Sequence, residues 1–209
     1  MSLICPTIIA HTPDEFISQS DNIAPFAERV QIDIADGDFA SPATINLNQV
    51  YYPDNWAVDL HLMLREPVKW IEAIVSLGPN LVIVHAEADG NLVGMIEHLR
   101  KFGIKAGIAL LPKTTVESVR ELVLVADHVL IFAGSLGEQG GMADLSQLEK
   151  VTQIRAIKPD IEIGWDGGAN LGNIKEISMA GMDIINVGSA IQNAKNPVEA
   201  YQELIRLTE

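Results

Sequence analysis

The 209 residues predict an α/β protein, a single (β/α)8 TIM barrel spanning 1–209, on three observations. Short β-branched runs alternate with longer segments of helical periodicity. There are eight such runs, and 209 residues shared among eight units leaves about 26 each, enough for a strand, a helix and two short loops. Hydrophobic residues make up 48% of the chain but aromatics only 5%. The core must therefore be built from Ile, Val, Leu, Met and Ala, which suit parallel strands covered by helices.

The strands are expected, in order, at Ile4–Ile9, Val30–Ile34, Ala57–His61, Leu81–Val84, Lys105–Leu110, His128–Phe132, Ile161–Gly164 and Asp183–Val187. Helix starts agree with this count. Thr12-Pro13-Asp14-Glu15 offers a capping hydroxyl, a proline at the first helical position and an acid three residues on. Thr115-Val116-Glu117 and the segment 170–173 open later helices similarly. Gly78, Gly103 and Gly181 fall where helices should end and turn back into strands. No Pro/Gly/Ser-rich linker divides the chain, so one domain is expected. The competing fold is a doubly wound open sheet, but the first strand lacks the G-x-G-x-x-G turn of a dinucleotide site.

Twenty-eight acidic residues against fourteen Lys and Arg give a net charge of −14, which argues against nucleic acid or an anionic membrane as partner. A small anionic ligand remains compatible, because backbone N–H groups bind phosphate locally. The lone Cys5 forms no internal disulfide and reads as a small buried hydrophobe on the first strand. No basic, apolar leader and no apolar run of about 20 residues is present, so a soluble cytoplasmic protein is expected.

A parallel barrel builds its site from strand C-termini and the loops that follow. The strand ends a core would not choose are Gln31 and Asp33 on strand 2, Asp59 and His61 on strand 3, His85 and Glu87 after strand 4, Asp166 after strand 7, and Gly188-Ser189 after strand 8. Residues two apart share a strand face, so Gln31 lies beside Asp33 and Asp59 beside His61. Two carboxylates and a histidine at one mouth suit a divalent metal; two carboxylates flanking a substrate also suit general acid and base work. Simpler roles fit the neighbours: Asp36-Gly37 as a turn, Asp59 as an ion-pair partner, His85 as a hydrogen-bonded core residue. His11, His98 and His128 are expected to be structural or exposed. Glycines form a second constellation, in the loop 134–141, in Asp166-Gly167-Gly168 and in Gly188-Ser189. Glycine lets backbone approach an anion, and loops after strands 7 and 8 are the usual phosphate position in this fold.

From Cys5-Pro6-Thr7-Ile8-Ile9 to Gly188-Ser189-Ala190 the chain resembles ribulose-phosphate 3-epimerases. The resemblance is carried by the run from Ile32 to Phe39, by Asp59-Leu60-His61-Leu62-Met63, by Val84-His85-Ala86-Glu87 and by Asp166-Gly167-Gly168. It implies a homo-oligomeric isomerase of the pentose phosphate pathway acting on a sugar phosphate. Asp33 and Asp166 would exchange the C3 proton from opposite faces of the sugar. It also implies a divalent metal (Zn, Fe, Mn or Co) held by Asp33, His61 and Asp166. Gln31 stands where the family has its strand 2 histidine, and an amide oxygen suits harder ions better. Gly168, Gly188 and Ser189 match phosphate-binding positions, Gly137 and Gly140 the loop after strand 6, and Met63 a residue that shields the site. Further departures are Ala10, Ala35 and the segment 135–140. Two other functions remain open: a decarboxylase or aldolase-type synthase on a sugar phosphate, and a barrel that binds sugar phosphate without catalysis.

Overall fold

In the computed structural model, which describes residues 1–137 and 140–209, eight parallel strands close into a barrel in chain order. They are β1 (Leu3–Ile9), β2 (Arg29–Ala35), β3 (Ala57–Met63), β4 (Leu81–His85), β5 (Lys105–Leu110), β6 (His128–Phe132), β7 (Glu162–Asp166) and β8 (Ile184–Val187), with β8 pairing back onto β1. Eight helices accompany them: α1 (Pro13–Ile23), α2 (Ile71–Leu77), α3 (Leu92–Lys101), α4 (Arg120–Val125), α5 (Lys150–Ile157), α6 (Ile174–Met179), α7 (Ser189–Gln192) and α8 (Pro197–Thr208). The barrel expected from the sequence is the barrel observed.

Local chemistry places the helices. At α1 the Thr12 hydroxyl accepts from the Glu15 N–H at 3.2 Å and satisfies a helix-end donor, while the Glu15 carboxylate accepts from the N–H of His11, just before the cap, at 2.7 Å. α2 ends on Gly78 in the left-handed conformation, at φ 64° and ψ 46°. One connection departs from the strict strand–helix alternation. Between β2 and β3 the chain makes only a short 3-10 turn, Leu47–Gln49, inside a long loop. Gly37, Pro42 and Pro53 interrupt that segment, and proline and glycine disfavour a continuous helix.

Period-two alternation divides the strands between two environments. Val30, Ile32 and Ile34 of β2, Val58, Leu60 and Leu62 of β3, and Ile163 and Trp165 of β7 face outward and pack under the helices with Phe16, Ile23, Ile74 and Leu204. The alternate residues point into the barrel and form layers. At the floor, Arg29 donates from Nε to Asp59 at 2.7 Å and from Nη1 and Nη2 to Glu162 at 2.9 and 2.8 Å. His128 Nδ1 lies 2.8 Å from Glu162, and Asn80 donates to Asp59 at 3.2 Å. Burial would raise the Glu162 carboxyl; the bonds from Arg29 and His128 overcome it and hold Glu162 well below the usual carboxylate range. Asp59 is thus the ion-pair partner the sequence allowed, and His128 is structural. Above this floor Leu81, Ile83, Ala109 and Leu130 fill an apolar layer, and the remaining polar side chains sit higher, at the C-terminal mouth.

Candidate active site

Three strands carry the polar centre. Register sets Asp33 of β2 directly opposite His61 of β3, while Asp166 ends β7. His61 Nδ1 lies 2.9 Å from Asp33 Oδ1 and 3.5 Å from Asp166 Oδ2. Gln31, one pleat below Asp33, donates from Nε2 to both carboxylates, at 2.9 Å to Asp33 and 2.6 Å to Asp166. Sequence reasoning placed these four side chains at one mouth, and they converge there.

The electrostatics follow from crowding two carboxylates in a dry space. Burial pushes Asp166 up to about 7, and the neighbouring Asp33 charge adds to the rise; His61 and the Gln31 amide oppose it. Burial alone would lower His61, but the bond and charge of Asp33, with the charge of Asp166, hold it above its ordinary value. His85, completely buried, goes the other way: burial lowers its imidazole to about 4, and Glu87 only partly offsets this.

Asp33, His61 and Asp166 each offer one ligand atom, all within 4.8 Å of one another. Such a set suits a divalent cation, which would cancel the carboxylate repulsion that raises Asp166. The Gln31 Oε1 atom is buried and finds no partner among the described residues. A half-turn of that amide would bring Oε1 to the carboxylates as a fourth, oxygen ligand, so the residues present fit a cation. With its amide nitrogen turned to the carboxylates, Gln31 is a donor to the centre.

A small cleft opens above these groups. Asp33 and Asp166 form part of its wall, with Thr7, Ile9, Phe132 and the loop residues Gly134, Ser135, Gly140, Gly167, Gly188 and Ser189. Gly140, Gly188 and Ser189 thus reach the cleft as expected. Other expected residues lie around it. Gly168 packs against backbone, where a Cβ would lie 2.4 Å from the Ala143 nitrogen. Gly137 packs on the Ser41 carbonyl, 2.7 Å from where its Cβ would be. Met63 is buried with Ile9, Ala35 and Ala40 beneath Phe39 and Leu136. Glu138 and Gln139, which belong to the expected loop after strand 6, lie outside the described residues. Asp36 makes a turn, accepting from the Asp38, Phe39 and Arg65 N–H groups.

Sequence reasoning missed Phe132 as a wall residue and His85 as a neighbour of the centre. Phe132 is an ordinary apolar strand residue whose position at a strand end was its one signal. His85 is fully buried with Nε2 2.9 Å from His61 Nε2, a contact that depends on the register between β3 and β4.

Comparison with known proteins bears on the family and the fold. The model of the Ribulose-phosphate 3 epimerase family matches residues 4–192. The ribulose-phosphate 3-epimerase of Mycobacterium bovis is 30% identical over 98% of this chain and 92% of its own length. The ribulose-phosphate 3-epimerase of Bacillus subtilis is 30% identical over 85% of this chain and 86% of its own. Among solved structures, 3-hexulose-6-phosphate synthase from Salmonella typhimurium superposes with a TM-score of 0.74, covering 100% of this chain and 98% of that one; at 17% identity the likeness concerns the fold alone. The chain belongs to the ribulose-phosphate 3-epimerase family, whose members are isomerases acting on carbohydrates.

Proposed function

We propose that the chain, acting as one domain over 1–209, is a sugar-phosphate 3-epimerase of the ribulose 5-phosphate type, with Asp33 and Asp166 as its two proton-transfer groups. The observation that carries this reading is the pair itself: two carboxyls from distant strands line one cleft, and the environment of one of them favours its protonated form. A carboxyl held in its protonated form across from a second carboxyl supplies the acid that a two-face proton exchange requires. Asp33 takes the proton from C3 of the sugar and leaves an enediolate. Asp166, protonated, returns a proton to the opposite face, and the roles exchange in the reverse direction.

The phosphate end of the substrate fits the glycine side of the cleft. Gly167, Gly188 and Ser189 lie there, and backbone without side chains admits a phosphate to N–H distance. Asp33, His61 and Asp166 would hold a divalent cation, with Gln31 able to supply a fourth oxygen. The cation would add positive charge beside the developing oxyanion. The residues themselves hold the sugar between the two carboxyls, keep water out behind Ile9 and Phe132, and keep Asp33 oriented through Gln31 and His61. The same reading makes the substrate a small phosphorylated sugar, with no part for nucleic acid or membrane. No helix among the described residues is long and apolar enough to cross a membrane.

Solvent deuterium tests the proposal. Ribulose 5-phosphate incubated with the protein and a divalent metal in D2O should gain deuterium at C3 and form xylulose 5-phosphate. Asp33→Asn and Asp166→Asn should each slow exchange by about a hundredfold or more, the usual weight of a general acid or base. Exchange persisting at the wild-type rate in both variants would remove these residues from the mechanism.

A further inference from the structure

β1 and β8 separate before they reach the mouth. They pair from Leu3 with Ile184 up to Pro6 with Val187, where β8 ends and the chain turns away through Gly188 into α7. β1 runs on to Ile9, paired with β2: Thr7 with Gln31, Ile8 with Ile32 and Ile9 with Asp33. The top of β1 and the Gly188-Ser189 turn therefore meet the cleft as separate pieces of wall, since Thr7, Ile9, Gly188 and Ser189 all line it.

A parted strand leaves backbone groups in need of partners, because a buried N–H or C=O without one is costly. Two glutamine side chains supply them. Gln19 of α1 donates from Nε2 to the Ile9 carbonyl at 2.7 Å, and its Oε1 accepts from the Ile9 N–H at 3.1 Å. One amide thus takes both bonds that a neighbouring strand would have made. Gln192, buried at the end of α7, donates from Nε2 to the Thr7 carbonyl at 3.1 Å. The same nitrogen donates to the Gln19 carbonyl at 3.3 Å, and Gln192 Oε1 accepts from Asn22 Nδ2 at 3.3 Å. Gln192 therefore ties α7 to β1 and α1, while Gln19 ties α1 to β1.

Barrel closure alone does not call for this solution. A longer β8 would satisfy the same groups with main-chain bonds, but it would fill the gap with strand and carry its backbone across the space between Ile9 and Ser189. The amides satisfy the backbone and keep the gap open at a fixed width. We propose that Gln19 and Gln192 are positioning residues for the substrate, fixing the separation between β1 and the Gly188-Ser189 turn and so the size of the phosphate end of the cleft. This rests on the phosphate placement proposed above. Neither glutamine is among the residues that line the cleft; both act through the Thr7 and Ile9 backbone and the course of α7.

A phosphate held by backbone N–H groups tolerates little misplacement, since hydrogen bonds weaken steeply with poor geometry. Loosening either amide should weaken phosphate binding more than it slows proton transfer, which takes place at Asp33 and Asp166 on other strands.

The experiment compares the wild type with Gln192→Met and Gln19→Met, which keep side-chain length and remove the amide. The readouts are KM and kcat for ribulose 5-phosphate with a divalent metal present, and the competitive inhibition constant of inorganic phosphate. Tyr52→Phe is the control for a purely structural loss, because it removes a hydroxyl bond to the Leu77 carbonyl, 2.7 Å long, outside the cleft. In each glutamine variant KM and the phosphate inhibition constant should rise about tenfold, the weight of one displaced hydrogen bond to a charged group, with a smaller change in kcat. Tyr52→Phe should lower the melting temperature and leave both constants in place. Gln19 is half-buried on α1, so Gln19→Met carries the test should Gln192→Met fail to fold. Glutamine variants that melt lower yet keep wild-type KM and phosphate inhibition overturn the inference and make these amides structural, with the epimerase reading left standing. A wild type that neither turns over ribulose 5-phosphate nor binds phosphate removes the reading beneath it.

Discussion

Asp166 is the most perturbed carboxyl at the cleft, and its environment has a measurable consequence. Its folded pKa, about 7, lies above its ordinary value of 3.8, because burial and the Asp33 charge both oppose ionisation. A group raised in this sense contributes stability that is complete below its unfolded pKa and is lost as pH rises through the folded one. His61 is raised as well and acts in the same sense, whereas His85 is lowered and acts oppositely in a more acidic window, between about 4 and 6.5. Metal-free protein should therefore melt at progressively lower temperature as pH rises through about 7. Asp166→Asn should flatten that slope, and a divalent cation should reverse it by pairing with the ionised carboxylates. A melting temperature of metal-free wild type independent of pH from 6 to 8 would contradict this account of the pair. Much of this centre was legible from the sequence alone. Asp33, His61 and Asp166 stand out because a charged residue at the end of an apolar strand has few reasons to be there. The contact between His85 and His61 was not legible, since it requires two strands in register and a ring orientation that no spacing rule reports.

The loops after β6 and β7 meet at one tight point. Gly167 has φ 115°, and a Cβ there would lie 2.2 Å from the Gly134 nitrogen. The contact is braced by the Ala133 N–H donating to the Asp166 carbonyl at 2.7 Å and by the Asp144 N–H donating to the Ala133 carbonyl at 3.0 Å. Gly167→Ala should force these loops apart at a cost of about 1–3 kcal/mol in backbone strain, to which the collision adds. Affinity for a ribulose 5-phosphate analogue should drop sharply in titration calorimetry while the far-ultraviolet circular dichroism of the barrel stays intact. Unchanged affinity would mean the two loops do not shape the cleft. Sequence reasoning marked both loops as glycine-rich but assigned the close approach to Gly168 and an anion; in the structure Gly168 and Gly167 both press on neighbouring backbone, a distinction set by three-dimensional packing. Strands were read more accurately than connections. β5 and β6 begin and end where expected, because a short apolar run buried on both faces and opened by a polar residue has one dominant signal. The stretch between β2 and β3 carries no α-helix, only the 3-10 turn Leu47–Gln49, since proline and glycine interrupt it.

Across the whole barrel the polar side chains divide into two groups, one at each end. The floor group ties β2, β3, β6 and β7 together through Arg29, Asp59, His128 and Glu162. Asp59 is 2% exposed, so removing its partner leaves a buried charge unpaired. Arg29→Met should destabilise the protein by roughly 3–5 kcal/mol, the typical cost of breaking a buried pair from one side. Urea unfolding would measure this, and the exchange rate at C3 in the surviving folded fraction should be close to wild type. A small change in unfolding midpoint would show that the floor charges are not a structural tie. The arrangement separates two duties: the riveted base holds the ring's shape, so a substitution at rim residues such as Phe39 and Leu136, which pack over Met63, acts on the mouth rather than on the scaffold.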